Sequence, residues 1–216
     1  MYKYPKIDNL YTRAIDGTKK LVEGVFNDET VAFLADIPWH ATEKIDGTNI
    51  GIYWDGHEVH FQGRTERSVI PKHLFEKLVR LFGGETNAQI FEQLFGEKEV
   101  VLYGEGYGHK IQAAGDSYNP NDVNFVLFDI YIPGNDLWLV RCDMCRIADA
   151  FGIYVVPWLG TAPLKDWVEY VKEKNHSLWA ADDDYIMEGV VCKPAVELRN
   201  KRGERIIVKI KWRDFE

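Results

Sequence analysis

The sequence predicts an α+β fold in which strands dominate and helices are inserted between them. Apolar runs of strand length recur along the chain, for example over 99–106 and 123–132. Residues 71–82 instead carry apolar side chains at helical spacing behind a leading proline. A turn signal at 54–56 joins two strand-like runs, as expected for a hairpin. We therefore expect antiparallel sheets with inserted helices.

The individual elements follow from local patterns. Residues 1–40 predict turns and short apolar pieces. The predicted strands are two within 45–62 and one each at 99–106, 123–132, 137–140, 153–157, 186–194 and 205–212. The predicted helices lie at 71–82, 86–95, 141–151 and 163–174. Thr86 and Gln89 have the spacing of a capping box, and Gly96 suits the end of that helix.

The composition is that of an ordinary globular protein. The chain has 216 residues, of which 46% are hydrophobic and 28% charged, enough for one sizeable domain. No apolar run reaches the ~18 residues that a membrane span needs, and the N-terminus lacks a signal-peptide core. Three cysteines are too few for a disulfide framework. We expect a single domain over 1–216, no membrane partner and a cytoplasmic location.

The charge is unevenly distributed along the chain. The formal net charge of −8 argues weakly against a nucleic-acid partner, because affinity for phosphate depends on Lys and Arg. The stretch 193–213 nevertheless holds eight basic residues and only two acidic ones, Glu197 and Glu204. One end of an acidic chain is therefore locally basic.

Lys44 is the strongest candidate for chemistry. It lies just before an Asp-Gly turn, where a strand-like run begins. A lysine amine is a nucleophile only when neutral, and burial or a neighbouring cation favours that form. Lys209 and Lys211 alternate on the last predicted strand and so share one face. If that face meets Lys44, the same cations can also hold a phosphate chain.

Two carboxylates and an arginine complete the set of candidates. Glu105 and Glu188 each have glycine beside them, which would let backbone and ligand approach closely. Carboxylates near phosphates are suited to Mg²⁺ or to a sugar hydroxyl. Arg64 offers a planar fork for phosphate or ribose oxygens.

These residues stand in six short motifs. In chain order the motifs are Lys44-Ile45-Asp46-Gly47, Gly63-Arg64-Thr65, Tyr103-Gly104-Glu105-Gly106, Phe125-Val126-Leu127-Phe128-Asp129-Ile130, Glu188-Gly189-Val190-Val191 and Lys209-Ile210-Lys211. The set resembles the covalent nucleotidyltransferases, which are the polynucleotide ligases and mRNA capping enzymes. KIDGTN at 44–49 and KIKWRDF at 209–215 are similar to the RNA ligase branch, which includes phage nick-sealing and RNA-editing ligases.

The resemblance implies an ATP-grasp-like ligase adenylation fold and a reaction in three steps. Lys44 would attack the α-phosphorus of ATP, giving lysyl-AMP and pyrophosphate. AMP would pass to a 5′-phosphate, and a 3′-hydroxyl would then displace AMP and seal the strand. The implied cofactors are ATP and Mg²⁺ or Mn²⁺, and the implied partner is RNA with nicked or paired ends.

The resemblance also implies a role for each candidate residue. Glu43, Asn49 and Arg64 would contact the nucleotide, and Glu105 its ribose. Phe128 would stack on adenine, while strand alternation puts Phe125 on the opposite face. Glu188 would support metal-assisted chemistry, with Glu105 as the second metal residue. Lys209 and Lys211 would hold the phosphates.

The chain departs from its relatives after the last motif. We therefore expect neither the OB-fold of DNA ligases and capping enzymes nor the helical C-terminal domain of many RNA ligases. End recognition would come from this domain's own surface or from a protein partner. Three alternatives stay open, namely a minimal DNA or mixed-strand ligase, a non-catalytic nucleotide-binding repair module and a cap guanylyltransferase.

Overall fold

The computed structural model describes residues 2–15, 21–65 and 67–216. The strands are β1 (Asp8–Asn9), β2 (Tyr11–Arg13), β3 (Leu21–Phe26), β4 (Trp39–Glu43), β5 (Thr48–Trp54), β6 (Val59–Gly63), β7 (Val100–Gly108), β8 (Val123–Ile132), β9 (Leu137–Trp138), β10 (Tyr154–Val155), β11 (Trp158–Ala162), β12 (Gly189–Pro194) and β13 (Val208–Lys211). The helices are α1 (Glu29–Phe33), α2 (Lys72–Phe82), α3 (Gly84–Phe95), α4 (Gly115–Tyr118), α5 (Arg141–Phe151) and α6 (Leu164–Lys172), with 3₁₀ turns at Pro133–Asn135 and Trp212–Phe215.

The chain folds into two compact units. Among the described residues, the first unit comprises 2–4 and 46–156, and the second comprises 5–15, 21–45 and 157–216. The boundary at 45–46 falls inside the Lys44-Ile45-Asp46-Gly47 motif, so its lysine belongs to the second unit and its Asp-Gly pair to the first.

The first unit is built on a sheet with strand order β10-β8-β7-β5-β6, to which β9 adds by pairing with β8. Helices α2, α3 and α5 cover one face of this sheet. Their apolar side chains, including Leu78, Phe82 and Phe91, form one core with Phe125 and other residues of the strands. The apolar side chains at helical spacing in α2 are thus the ones buried against the sheet.

The other face of this sheet is aromatic and is covered in part by residues 2–4. We call it the aromatic face; Tyr103, Phe128 and Trp138 lie on it. The ring of Tyr4 packs edge-on against Phe128, with ring centroids 5.0 Å apart, and edge-on against Trp138 at 5.7 Å. The main-chain oxygen of Tyr2 accepts a hydrogen bond from Tyr103 Oη over 2.8 Å. The N-terminal residues are therefore part of the first unit's packing.

The second unit contains a sheet with strand order β1-β13-β12-β4-β11 and a separate β2–β3 pair. Helices α1 and α6 pack on one face of the larger sheet, where Trp39, Trp167 and Val190 are core residues. Trp167 Nε1 donates to the carbonyl oxygen of Trp39 over 3.1 Å, which fixes α6 against β4. The opposite face of this sheet carries the side chains that alternate with the core residues. We call it the outward face.

Most predicted elements are present, and the strand at 123–132 and the helix at 141–151 have the predicted bounds. The capping box at Thr86 is wrong. Helix α3 begins two residues earlier, with Gly83 as its N-cap and no side-chain cap, and Asn87 Nδ2 donates to the Gly83 carbonyl oxygen. Its end at Gly96, where φ is 59°, is as predicted.

Sequence reasoning assigned too little structure to the N-terminal segment and missed β11. Residues 1–40 predict only turns and short apolar pieces, yet they supply β1, β2, β3, α1 and the start of β4. Two short pairs, β1 with β13 and β10 with β8, are parallel, whereas the expectation was antiparallel pairing throughout. None of the helices in the described part of the chain has the length and hydropathy that crossing a membrane requires.

Candidate active site

Strand pairing in the second unit brings two distant parts of the sequence together. Strand β4 pairs antiparallel with β12, and Glu43 is the register partner of Val190. The backbone N–H of Lys44 continues this pairing by donating to the carbonyl oxygen of Gly189 over 2.9 Å. Lys44 directly follows one strand and Glu188 directly precedes the other. The two side chains are therefore positioned by a sheet and not by a free loop.

A Lys–Glu–Lys cluster results. Lys44 Nζ donates to Glu188 Oε2, and Lys211 Nζ lies 2.6 Å from the other carboxylate oxygen, Glu188 Oε1. Lys211 reaches this position because it is the register partner of Gly189. The side chains of Lys44, Glu188 and Lys211 are 23%, 12% and 31% exposed, so the cluster is shielded but open to a ligand.

The environment keeps Glu188 ionised. Burial alone would raise the pKa of this carboxyl group. The nearby ammonium of Lys44 and the hydrogen bonds from Lys211 and Lys44 outweigh burial and lower the pKa of Glu188. Two ammonium groups and one carboxylate leave a net positive charge, which favours an anionic ligand such as a phosphate chain.

Lys209 lies on the same strand face as Lys211, as the alternation predicts. The side chains of Val208 and Ile210, which alternate with them, point into the core of the second unit. Lys209 Nζ donates to the carbonyl oxygen of Ile7 over 2.9 Å. The two lysines of this face therefore relate to Lys44 in different ways. A carboxylate joins Lys44 to Lys211, and Lys209 is bound to the main chain preceding β1.

Glu43 is buried, with 1% of its surface exposed, and it stabilises a loop. One carboxylate oxygen accepts from Ser177 Oγ and the other from the backbone N–H of Leu178, over 2.8 Å. Ser177 Oγ in turn accepts from the N–H groups of Trp179 and Ala180. Burial raises the pKa of Glu43, and the hydrogen bonds from Ser177 and Leu178 offset this only in part. The predicted nucleotide contact of Glu43 stays a prediction.

In the first unit, Asn49 and Glu105 are register partners on β5 and β7, so their side chains share one face of the sheet. Ile50 and Leu102 point to the opposite face of the same two strands and lie in the helix-covered core. Asn49 and Glu105 are therefore on the aromatic face. Arg64 directly follows β6 and is exposed. Three of the predicted nucleotide-contacting residues therefore belong to this unit.

Strand β8 contains a β-bulge at Phe128. Tyr103 is the partner of Asp129 and Gly104 the partner of Leu127, which leaves Phe128 as the extra residue of β8. Phe128 packs on the aromatic face, whereas Phe125 is buried in the helix-covered core. The predicted placement of the two rings on opposite faces is confirmed. The stacking of Phe128 on adenine stays a prediction.

The glycines beside the two carboxylates have a different explanation from the expected one. A Cβ at Gly106 would lie 2.5 Å from Leu74 Cδ2, and a Cβ at Gly104 would lie 2.2 Å from Phe125 Cζ. At Gly189 the nearest atom would be the carbonyl oxygen of Ile210, at 2.0 Å. Other parts of the protein, and not a ligand, occupy the space that these glycines leave.

Sequence reasoning missed Ser177 and gave no role to Asp129. Asp129 is 2% exposed, and its Oδ2 accepts a hydrogen bond from Tyr4 Oη over 2.8 Å. A charged residue in the apolar run 125–132 was an available signal that Asp129 has a fixed partner. Nothing local in the sequence connects Ser177 with Glu43, because 134 residues separate them.

Some cysteine and histidine side chains are also potential ligands of a metal site. Cys142 is exposed, Cys145 is half-buried and both are free thiols. His109 Nδ1 lies 2.8 Å from Asp116 Oδ1. Within residues 2–15, 21–65 and 67–216, no group of three or more His, Cys, Asp or Glu side chains could hold a metal ion.

The comparison with protein families decides the relationship. A family model described as RNA ligase matches residues 37–211, which is most of the chain. The chain belongs to the RNA ligase family. The match includes Lys44 and Glu188 and ends at Lys211, so the whole Lys–Glu–Lys cluster of this RNA ligase family member lies inside it. No match to the chain was found among curated protein sequences.

Solved structures of Naegleria gruberi RNA ligase have the same fold as this family member. A point mutant with ATP and Mn has a TM-score of 0.65 and 17% identity, over 98% of this chain and 62% of that one. A second mutant, with AMP and Mn, has a TM-score of 0.65 and 16% identity, over 99% and 63%. The ligase with PPi gives 0.64 and 19%, over 98% and 62%. The predicted nucleotidyltransferase adenylation fold is confirmed.

This chain spans about six tenths of the length of the Naegleria gruberi chains that it matches. The family and the fold therefore apply to this chain, and at these identities the structural likeness shows the fold alone. The sequence-based assignment of residues 1–216 to a single adenylation domain stays a prediction.

Proposed function

We propose that this protein is an ATP-dependent RNA ligase that reacts through AMP bound covalently to Lys44. The observation that carries the proposal is the Lys–Glu–Lys cluster, in which Lys44 and Lys211 bind the two oxygens of Glu188. Membership of the RNA ligase family supports the reaction class. The Naegleria gruberi structures with ATP, AMP and PPi support ATP as the nucleotide.

The cluster is suited to forming a phosphoramidate. The Lys44 amine, once it has released its proton, attacks the α-phosphorus of ATP. The new N–P bond forms as the bond to the pyrophosphate oxygen breaks, and pyrophosphate leaves. Lys44 then carries no positive charge, but Glu188 keeps Lys211 as its counter-ion. The carboxylate is therefore not left unpaired at the point where Lys44 changes charge.

The remaining steps transfer the nucleotide and join the strands. An oxygen of the RNA 5′-phosphate attacks the phosphorus of lysyl-AMP, which restores the lysine amine and leaves AMP on the RNA end. A 3′-hydroxyl then attacks the 5′-phosphate, loses its proton and displaces AMP. Three successive displacements at phosphorus replace one difficult condensation. We propose Lys209 and Lys211 as the residues that hold the phosphates.

The donor set fits a divalent cation such as Mg²⁺ or Mn²⁺. Mg²⁺ is commonly bound by one or two carboxylates together with substrate phosphates, so a complete protein cage is not required. We propose Glu188 as a metal residue of the second unit and, independently of it, Glu105 as a metal residue of the first. The ion, when bound, neutralises negative charge on the phosphates. The presence of Mn in the Naegleria gruberi structures supports this assignment.

The first unit supplies a candidate surface for the nucleoside. Asn49 and Glu105 are cross-strand partners on the aromatic face, which also carries Phe128. We propose that Glu105 binds the ribose, that Phe128 stacks on adenine and that Asn49, Arg64 and Glu43 make further nucleotide contacts. Ring stacking suits any flat base, so the hydrogen-bonding residues must supply the preference for ATP.

The proposed substrate is RNA with nicked or paired 3′-hydroxyl and 5′-phosphate ends. The family supports RNA. Joining of DNA, a protein partner that supplies end recognition and a cytoplasmic location are finer predictions of the sequence alone. Parallel assays on RNA and DNA nicks of the same sequence separate RNA ligation from mixed-strand ligation.

Covalent labelling tests the proposal. The protein is incubated with Mg²⁺ and ATP labelled at the α-phosphorus, and the adduct is located by mass spectrometry. We expect label on Lys44, none from γ-labelled ATP and none in Lys44→Ala. Lys172→Ala is the matched control, because Lys172 is also a half-buried lysine of the second unit paired with glutamates. Label retained by Lys44→Ala, or absent from the wild type, rejects the proposed nucleophile.

A further inference from the structure

A basic hairpin lies between β12 and β13. It comprises residues 195–205, and its tip carries the exposed side chains of Arg199, Lys201 and Arg202. Arg199 and Arg205 form an antiparallel bridge that closes the turn at the tip. The backbone N–H of Asn200 donates to the carbonyl oxygen of Glu204 over 2.8 Å. This exposed group of positive charges is not used by the proposed adenylylation reaction.

The acidic residues of the basic hairpin have partners within it. Glu197 accepts two hydrogen bonds from the guanidinium of Arg205, from Nε over 2.6 Å and from Nη2 over 2.8 Å. Glu204 Oε2 accepts from Asn200 Nδ2 over 2.8 Å. The pairing of Glu197 with Arg205 balances one negative charge at the base, so the positive charges at the tip exceed the negative charge of Glu204.

Hydrogen bonds within the tip define its turn. Asn200 Oδ1 accepts from the backbone N–H groups of Arg202, over 2.9 Å, and Glu204, over 3.0 Å. Gly203 adopts a φ of 79°, which suits glycine in a tight turn. A loop that is fixed before binding loses less conformational entropy when a ligand arrives.

The outward face of the second unit connects the basic hairpin to the Lys–Glu–Lys cluster. Val191 is the register partner of Lys209, so Lys193 lies on the same face as Lys209 and Lys211. A row of lysines therefore runs along the paired strands. From Gly189 to Pro194 the strand extends about 17 Å at the usual rise per residue. One end of the row is the cluster and the other leads into the basic hairpin.

We propose that this row and the basic hairpin form a track that binds the sugar-phosphate backbone of the RNA substrate away from the joining site. The proposal rests on the proposed ligase function. A row of Lys and Arg side chains suits phosphates, whose binding is electrostatic and independent of sequence. The track also explains how a chain with a net charge of −8 binds RNA, because binding depends on where the positive charges lie.

The test measures RNA binding of Lys201→Ala/Arg202→Ala. These side chains are exposed, and the substitutions keep Asn200 and Gly203, which shape the turn. The dissociation constant for a nicked RNA duplex is measured over a range of salt concentrations. We expect weaker binding and a salt slope smaller by about 2, because each removed cation leaves one RNA phosphate without its partner. Self-labelling with ATP should equal that of the wild type.

Two controls separate this effect from a general loss of charge. Lys98→Ala/Lys165→Ala removes two exposed lysines outside the hairpin and should leave the salt slope unchanged. A duplex that extends only a few base pairs from the nick cannot reach the hairpin, so the hairpin variant should bind it as the wild type does. Lys201→Gln/Arg202→Gln repeats the test with longer side chains should the alanine variant be unstable.

The outcomes distinguish this inference from the proposed function. Self-labelling that is normal together with an unchanged salt slope overturns the track. An unlabelled wild type that binds RNA through the hairpin keeps the track but rejects the ligase reaction. Hairpin-dependent binding of polyglutamate with no effect on RNA indicates an acidic protein as the partner and overturns the track. The track is also overturned if the wild type does not detectably bind the long duplex at low salt.

Discussion

The backbone N–H of Lys44 donates to the carbonyl oxygen of Gly189 over 2.9 Å. This bond continues the β4–β12 pairing past the end of β4 and places Lys44 beside Glu188, although 144 residues separate them in the chain. The proposed nucleophile is thus held by a sheet, whose hydrogen bonds limit its movement more than a loop would. Its position depends on the register of β12 between β4 and β13.

Gly189→Ala should disturb this register. Gly189 has a φ of 150°, and a Cβ there would lie 2.0 Å from the Ile210 carbonyl oxygen. We expect the free energy of unfolding to fall by about 1–3 kcal/mol and self-labelling to fall with it. Gly134→Ala is the control, because no atom lies within 4 Å of its added Cβ. Urea unfolding and the labelling rate check both effects. Normal labelling by Gly189→Ala contradicts the role of the register.

Lys211→Ala should slow the first step without unfolding the protein. The change removes the ammonium that lies 2.6 Å from Glu188 Oε1 and would stabilise charge on the phosphates. We expect the labelling rate at saturating ATP to fall by about a hundredfold or more, as for loss of one fixed charge-stabilising group. Lys211→Arg should restore part of the rate. Lys174→Ala, which breaks a lysine–glutamate pair elsewhere in the second unit, is the control. A wild-type rate in Lys211→Ala removes this residue from the site.

Tyr4→Phe should destabilise the first unit. It deletes the hydroxyl group that donates to the buried Asp129 over 2.8 Å but keeps the ring that packs on Phe128. We expect a loss of about 1–3 kcal/mol in the free energy of unfolding, the usual cost of leaving a buried hydrogen-bonding atom without its partner. Tyr131→Phe is the control, since its bond to Asp136 is exposed and should contribute less. Equal urea midpoints for the two variants contradict the proposed importance of the Tyr4–Asp129 bond.

The sequence was informative where a local pattern determines the structure. Alternation on the last strand correctly put Lys209 and Lys211 on one face, because the alternating Val208 and Ile210 are core residues. The apolar run at 123–132 correctly predicted the bounds of β8. The ordered motifs correctly indicated the family and the fold. These features depend on the side-chain periodicity of an element or on short spacings within it.

The sequence was uninformative where the structure depends on distant pairing. No local pattern specifies that β4 pairs with β12, so the placement of the Glu188 carboxylate between Lys44 and Lys211 could not be derived. The bulge at Phe128 is likewise a property of two strands and their register. The need for glycine at position 106 also depends on a distant residue. Leu74 lies 32 positions earlier in the chain, and its Cδ2 occupies the space that a side chain at position 106 would need.

The pH dependence of stability should differ in sign between Glu43 and Glu188. Burial raises the pKa of Glu43 above its ordinary 4.5, so the folded protein holds a proton there that the unfolded chain releases. This contribution to stability is present below pH 4.5 and is lost as pH rises through the raised pKa. Burial acts the same way on Glu188, but Lys44 and Lys211 outweigh it and lower the pKa. Its contribution is present above pH 4.5 and is lost as pH falls through the lowered pKa.

Glutamine variants should reveal these opposite signs. Glu43→Gln keeps the size of the side chain, but its single oxygen can accept from Ser177 Oγ or from the Leu178 N–H and not from both, so it loses one hydrogen bond at every pH. Relative to the wild type, it should gain stability as pH rises above 4.5. Glu188→Gln should instead lose stability relative to the wild type above pH 4.5, and this deficit should shrink in acid. Urea unfolding of all three proteins between about pH 3 and pH 7 measures both differences. Parallel curves for the two variants would mean that burial dominates at both carboxylates, and that Lys44 and Lys211 do not hold Glu188 in its ionised form.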